Sequence, residues 1–162
     1  MRIGVVSDTH NNLKNVARIV ELFNSAGVDR VIHTGDITRA RTLAAFARLD
    51  APLWGVFGNN DVGERPALDA AVAHLGFHFV EPPLELHWHR RRLIVVHDPL
   101  EFDGHLADHH QVALHGHTHR QRIERDHQRL YFNPGECAGI MPGLNAVGVL
   151  DLARLEPEIL KF

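Results

Sequence analysis

Arg2-Ile3-Gly4-Val5-Val6-Ser7-Asp8-Thr9-His10-Asn11-Asn12 is an apolar run that hands the chain directly to an aspartate and a histidine one residue apart. Small and β-branched residues bounded by turn formers read as a short buried strand. The same handover recurs along the chain. Val31 to Thr34 leads to Gly35-Asp36, and Leu53 to Phe57 leads to Gly58-Asn59-Asn60-Asp61. Leu93 to Val96 leads to His97, and Val112 to Leu114 leads to Gly116-His117-Thr118-His119. Helical stretches separate the first strands. In residues 13–26, Leu13, Val16, Ile19, Val20 and Phe23 share one face, and Gly27 is placed to end the helix. Residues 39–49 and 66–75 read as two more helices, the latter with Pro66 in its first turn. A βαβαβα beginning predicts parallel strands, whose carboxyl ends gather side chains at one edge.

Beyond residue 76 the pattern changes to strand and hairpin. Residues 77–80, 84–88 and 93–96 read as strands, the last two joined across a polar turn at His89-Arg90-Arg91-Arg92. Residues 112–114, 121–124, 130–132, 146–152 and 158–162 complete the set. Two packed sheets with helices outside best accommodate this order. The chain reads as one domain over 1–162, with no linker, internal repeat or low-complexity tract and with 98–110 as its main irregular segment.

Hydrophobic residues at 44% and charged residues at 23% are ordinary globular values. A formal charge of -3 gives no general electrostatic reason to bind nucleic acid or an anionic membrane. No run approaches a membrane span, and the N-terminus enters a strand without a leader pattern, so a cytoplasmic protein is expected. Cys137 is the single cysteine, which excludes an intramolecular disulfide and leaves it as a small structural residue.

Each polar segment alone is a common turn. Together they offer carboxylate, amide oxygen and imidazole, a donor mixture that suits a borderline divalent transition ion better than calcium or a thiol-loving metal. With 14 histidines in the chain, most have other roles. His33 and His115 read as packing or supporting groups. His105, His109 and His110, with Asp103 and Asp108, invite a further metal site, but their spacing fits no template. Arg90 to Arg92 reads as a solvated turn.

The set Asp8-x-His10, Gly35-Asp36, Gly58-Asn59-Asn60-Asp61, His97 and Gly116-His117-Thr118-His119, with Asn133-Pro134-Gly135, resembles the calcineurin-like metallophosphoesterase superfamily. The resemblance is to its small single-domain bacterial and archaeal phosphodiesterases, a branch similar also to a eukaryotic retromer subunit. It implies an α/β fold, a four-layer α-β-β-α sandwich of two mixed sheets flanked by helices. It also implies a hydrolase whose nucleophile is a hydroxide shared by two divalent ions, manganese first, with nickel, iron or zinc as alternatives. Asp8, His10, Asp36 and His119 would hold one ion, and Asp36, Asn59, His97 and His117 the other. Asp36, Asn59 and His97 would carry the chemistry, with both Asp36 oxygens available to bridge the ions.

Two divalent ions, two carboxylates and neutral histidines leave about +2, or about +1 with a hydroxide, which matches a phosphodiester monoanion. Arg39 and Arg120 are candidate substrate clamps. The chain departs from the family pattern at three positions. Asn60 stands where relatives carry a proton-donating histidine, which predicts a preference for activated or aryl esters. Asp61 is expected behind the ligands, orienting a histidine or its loop. Asp98 and Glu136 replace the usual glycine and serine, at positions expected to shape the substrate pocket.

The leading reading is a phosphodiesterase, with some monoesterase activity, acting on a small phosphoester; a homo-oligomer is compatible with it. The rival is a metal-retaining, non-catalytic interaction scaffold of the same fold. A nuclease is weakened by the absence of a basic, aromatic-rich tract.

Overall fold

The computed structural model describes residues 1–162. In chain order the first half gives β1 (Arg2–Val6), α1 (Leu13–Ala26), β2 (Arg30–His33), α2 (Ala40–Ala45), β3 (Leu53–Val56), α3 (Arg65–Leu75) and β4 (His78–Val80). The second half gives β5 (Leu84–Trp88), β6 (Arg91–Val95), β7 (Val112–Leu114), β8 (Arg122–Asp126), β9 (Arg129–Asn133), β10 (Ala146–Asp151) and β11 (Glu156–Lys161). One sheet has six strands in the order β11-β10-β1-β2-β3-β4, and the other has five in the order β5-β6-β7-β9-β8. Both are mixed. β1 to β4 run parallel while β10 and β11 are antiparallel; β6, β7 and β9 run parallel between antiparallel β5 and β8.

Alternation along the strands decides how the layers pack. Ile3, Val5, Ile32 and Val56 point toward the second sheet and join Leu93, Val95, Val112, Leu114 and Phe132 in the core between the sheets. Val6 and Val31 point the other way, to Val16, Ile19, Val20 and Phe23 of α1. Gly4 is required on that face, because a Cβ there would lie 2.8 Å from the Phe23 ring. On the outer face of the second sheet, Ile94, Val96 and Ala113 are covered by Phe102. That outer layer is thin, a 3-10 turn at Pro99–Phe102 within the segment 98–110.

Local chemistry sets the ends. Asn12 Oδ1 accepts from Asn15 N at 3.2 Å to cap α1, and Gly27 closes it in the left-handed region at φ 60. The helix expected over 39–49 stops at Ala45 and tightens into a 3-10 turn at Phe46–Arg48. Asn24 supplies the reason, donating to Arg48 O at 2.9 Å and accepting from Asp50 N at 3.0 Å, which draws the chain off the helix axis. The hairpin turn is also shorter than the expected four residues. His89 and Arg90 occupy the left-handed region at φ 48 and 63, as a two-residue turn requires, so Arg91 and Arg92 belong to β6.

Candidate metal centre

The carboxyl ends of the parallel strands from both sheets meet at one edge. Asp8 follows β1, Asp36 follows β2, Asn59 follows β3, His97 follows β6, and His117 and His119 follow β7. Backbone bonds lace these loops together: Asp8 N donates to Gly35 O at 3.1 Å, His10 N to Asp36 O at 3.0 Å, and Gly116 N to His97 O at 3.0 Å. Asp8, His10, Asp36, His117 and His119 all have positive φ, between 39 and 64. Non-glycine residues avoid that region at a cost of about 1–3 kcal/mol each, so the rest of the fold holds these turns against local preference.

Two groups of donor atoms result. In the first, His10 Nε2 lies 3.2 Å from His119 Nε2, 3.4 Å from Asp36 Oδ2 and 3.9 Å from Asp8 Oδ1. His119 Nε2 is 3.6 Å from Asp8 Oδ1. In the second, Asn59 Oδ1 lies 2.9 Å from His97 Nε2 and 3.0 Å from His117 Nδ1. His97 Nε2 is in turn 3.2 Å from His117 Nδ1 and 3.4 Å from Asp36 Oδ2. Asp36 Oδ2 therefore faces both groups. Its other oxygen, Oδ1, accepts the Asn60 backbone N–H at 2.9 Å, so the two groups share one atom and not the two carboxylate oxygens expected from sequence.

The donor set fits divalent cations. Asp8 Oδ1 is buried without a hydrogen-bond partner, an arrangement that costs free energy unless a cation or proton meets it. The His10 and His119 rings stack with centroids 5.1 Å apart and turn their Nε2 atoms toward each other. His97 Nδ1 donates to Thr34 O at 2.8 Å, which leaves Nε2 as the inward nitrogen.

Electrostatics reinforce the arrangement. Burial opposes ionisation of Asp36, but hydrogen bonding and the charge of His97, with two bonds from Asn60, hold its carboxyl well below the usual range. Burial likewise opposes a charged His97, yet its bond to and attraction by Asp36 raise it to about 9. Asp8 is pushed up by burial, against the hydrogen bond from Ser7 Oγ. Burial drives His33 down to about 3 and His115 down to about 4, so both rings are neutral supports. His33 Nδ1 accepts from Gly35 N at 3.1 Å, and its Nε2 meets Thr9 Oγ1 at 3.1 Å.

The remaining candidates take definite places. Asn60 Nδ2 donates to Asp36 Oδ2 at 2.7 Å. Asp61 is fully buried and accepts backbone N–H groups from Gly58 at 2.8 Å, Asp36 at 3.0 Å and Thr38 at 2.7 Å, which ties two ligand loops together. Arg39 pairs with Glu64 at 2.5 Å on the surface. Arg120 is exposed and borders a cavity of about 280 Å³ with His119, Glu136, Met141 and Leu144. Asp98 and Glu136, expected to shape the substrate pocket, also place their carboxylates behind the candidate ligand histidines: Glu136 Oε2 is 3.3 Å from His119 Nδ1, and Asp98 Oδ2 is 3.5 Å from His117 Nε2. His109 and His110 meet Glu85 and not Asp103 or Asp108. Ala107 N donates to His110 Nδ1 at 3.1 Å, which puts the neutral ring's proton on Nε2 and removes the lone pair a metal would need there.

The sequence pattern assigns no role to Ser7 or Thr34 and marks Gly116 only as the first residue of the histidine motif. A Cβ on Gly116 would collide with Ser7 Oγ and come within 2.8 Å of Asp8 Oδ2 and Thr34 Oγ1, so only glycine lets the histidine loop close onto β1. The signal available was Gly116 itself, directly before the histidine pair.

Known proteins resemble this chain in sequence and in fold. Residues 1–154 match the calcineurin-like phosphoesterase superfamily domain. The chain is 32% identical over 167 residues to phosphodiesterase MJ0936 of Methanocaldococcus jannaschii, covering 96% of each. It is 27% identical over 165 residues to phosphodiesterase YfcE of Escherichia coli, covering 93% of this chain and 88% of that one. The solved structure of an archaeal phosphodiesterase superimposes with a TM-score of 0.88 at 30% identity over the whole of both chains.

Proposed function

Because the chain belongs to the calcineurin-like phosphoesterase superfamily, we propose that it is a metal-dependent phosphodiesterase acting on a small phosphoester, with weaker monoesterase activity. The observation that carries the dinuclear reading is Asp36 Oδ2, 3.4 Å from His10 Nε2 in one donor group and 3.4 Å from His97 Nε2 in the other. We assign Asp8, His10, Asp36 and His119 to one ion and Asp36, Asn59, His97 and His117 to the other. Two divalent cations held there would polarise the phosphoryl oxygens and acidify a water enough to serve as nucleophile near neutral pH. The imidazole, amide and carboxylate donors suit a borderline divalent transition ion, and the family resemblance implies manganese first, with nickel, iron and zinc as alternatives.

The chain's own groups set the rest of the chemistry. Thr34 O and the Asn59 carboxamide fix the His97 ring, and Asn60 fixes Asp36 through both oxygens, so the site is ordered before substrate arrives. Asn60 has no proton to give a departing alkoxide, so departure relies on a stable leaving group or on water. Arg120, beside His119 at the edge of a cavity of mixed polar and apolar lining, can meet a substrate anion more readily than Arg39, which is engaged by Glu64.

The test is hydrolysis of a diester and a monoester with a common leaving group, across manganese, nickel, zinc, iron and magnesium, with Asn59→Ala and His117→Ala alongside. The expected result is diester turnover that requires a transition ion and falls at least ~10²-fold in both variants. Unchanged turnover in the variants would place the activity elsewhere, and metal uptake without turnover of any ester would favour the scaffold reading.

A further inference from the structure

The two histidines of Gly116-His117-Thr118-His119 present opposite ring nitrogens to the site. His119 turns Nε2 inward, 3.6 Å from Asp8 Oδ1, whereas His117 turns Nδ1 inward, 3.0 Å from Asn59 Oδ1. In each case the outward nitrogen meets a carboxylate, Glu136 at 3.3 Å or Asp98 at 3.5 Å. We propose that Glu136 is a positioning residue, accepting the outward N–H of His119 so that the inward nitrogen is held as a lone pair for a divalent cation, and that Asp98 acts on His117 more weakly, through its charge 3.5 Å from Nε2.

The Glu136 side chain is fully buried, and the groups that meet its carboxylate are Met141 N at 2.8 Å, Ala138 N at 3.1 Å and His119 Nδ1. With two backbone N–H groups already donating to this carboxylate, the His119 contact is read as Nδ1–H donating to Oε2. Nε2 is then free, at the position where the first donor group needs it. At His117 the nitrogens are reversed and the contact is looser: Asp98 Oδ2 stands 3.5 Å from Nε2 as a charge contact and makes no hydrogen bond to it. Asp98 is itself anchored, its Oδ1 accepting Leu100 N at 2.9 Å. Its side chain is 29% exposed, so solvent screens it and its contribution is the smaller. Carboxylates behind histidines also raise the basicity of the inward nitrogen. Each cation position thus has one histidine backed by a negative charge, while His97 is held by a neutral carbonyl.

This inference rests on the dinuclear reading above, and metal titration separates the two. Calorimetric and elemental titrations with Co2+ or Mn2+ would be run on the wild type, E136Q and D98N, with melting of the chelated proteins measured in parallel. The wild type is expected to take up two ions. E136Q should weaken one of the two binding steps by ~10- to 100-fold, and D98N should weaken the other by less, with a shifted Co2+ visible band in each. Wild-type affinity for both ions in both variants would overturn the inference and leave the dinuclear reading intact. Equal weakening of both ions in E136Q, together with a lower melting temperature of its chelated form, would overturn it for Glu136 by showing a role in folding the 136–145 loop. No ion uptake by the wild type would remove the dinuclear reading and this inference with it.

Discussion

His97 Nε2 stands 3.4 Å from Asp36 Oδ2, and this pairing raises the imidazole to about 9 in the metal-free protein despite its burial. At neutral pH the ring is protonated, and a cation must displace that proton to reach Nε2. Metal affinity is therefore expected to rise with pH by up to ~10-fold per unit until about pH 9, and calorimetry in buffers of different ionisation enthalpy should show proton release near pH 7. Affinity independent of pH between 6 and 9 would contradict the pairing.

The same pair makes a stability prediction for chelated protein. His97 is raised above its ordinary 6.5, so its contribution is fully present below about 6.5 and is lost as pH rises through about 9. His33 and His115 act in the opposite window. Their folded values, about 3 and about 4, lie below 6.5, so acidification protonates the unfolded chain first and stability falls as pH drops below 6.5. Each contributes at most ~1.4 kcal/mol per pH unit in that window. Denaturant melts at pH 5, 6.5 and 9 should show both losses from these groups.

Gly116→Ala would drive a methyl group into Ser7, Asp8 and Thr34. Overpacking of this kind costs ~1–3 kcal/mol, and here the strain falls on Asp8 and the histidine loop together. The variant should lose metal affinity along with stability, measured by titration and by denaturant melts. Gly63→Ala, where nothing lies within 4 Å of the added methyl, should leave both unchanged.

Asn60 donates to Asp36 through its side chain at 2.7 Å and its backbone at 2.9 Å, and so serves the carboxylate while offering no acid to the leaving group. Rates across an aryl and alkyl diester series should fall steeply as leaving-group pKa rises, because an unassisted alkoxide forfeits the ~10²- to 10⁴-fold that a positioned acid supplies. A flat dependence would show that another residue delivers the proton.

Cys137 is fully buried, with Sγ 3.1 Å from Ala146 O, and burial pushes its thiol well above the usual range. A thiol reagent at pH 8 should leave the native protein unmodified and label one site after denaturation. Rapid labelling of folded protein would refute this placement.

Most of the fold was legible because its signals are local. Alternation and β-branched runs mark β1, β2, β3 and β7, the stripe from Leu13 to Phe23 marks α1, and Pro66 marks the start of α3. The end of α2 was not legible, since it depends on Asn24, a residue of the preceding helix. The same distinction holds at the site. Asp8, His10, Asp36, Asn59, His97, His117 and His119 could be named from sequence because each follows a strand in a turn rich in residues that tolerate positive φ.

Sequence alone determined the order of strands and helices, the donor types and the edge where they collect, because each of these is written within a few consecutive residues. Only the tertiary structure decided that a single Asp36 oxygen faces both donor groups, that His117 and His119 present opposite nitrogens, and that Glu136 and Asp98 stand behind them. Those facts depend on distances between residues that are 17 to 111 positions apart in the chain. Such distances are set by how two sheets pack across a shared core, and no local pattern encodes them.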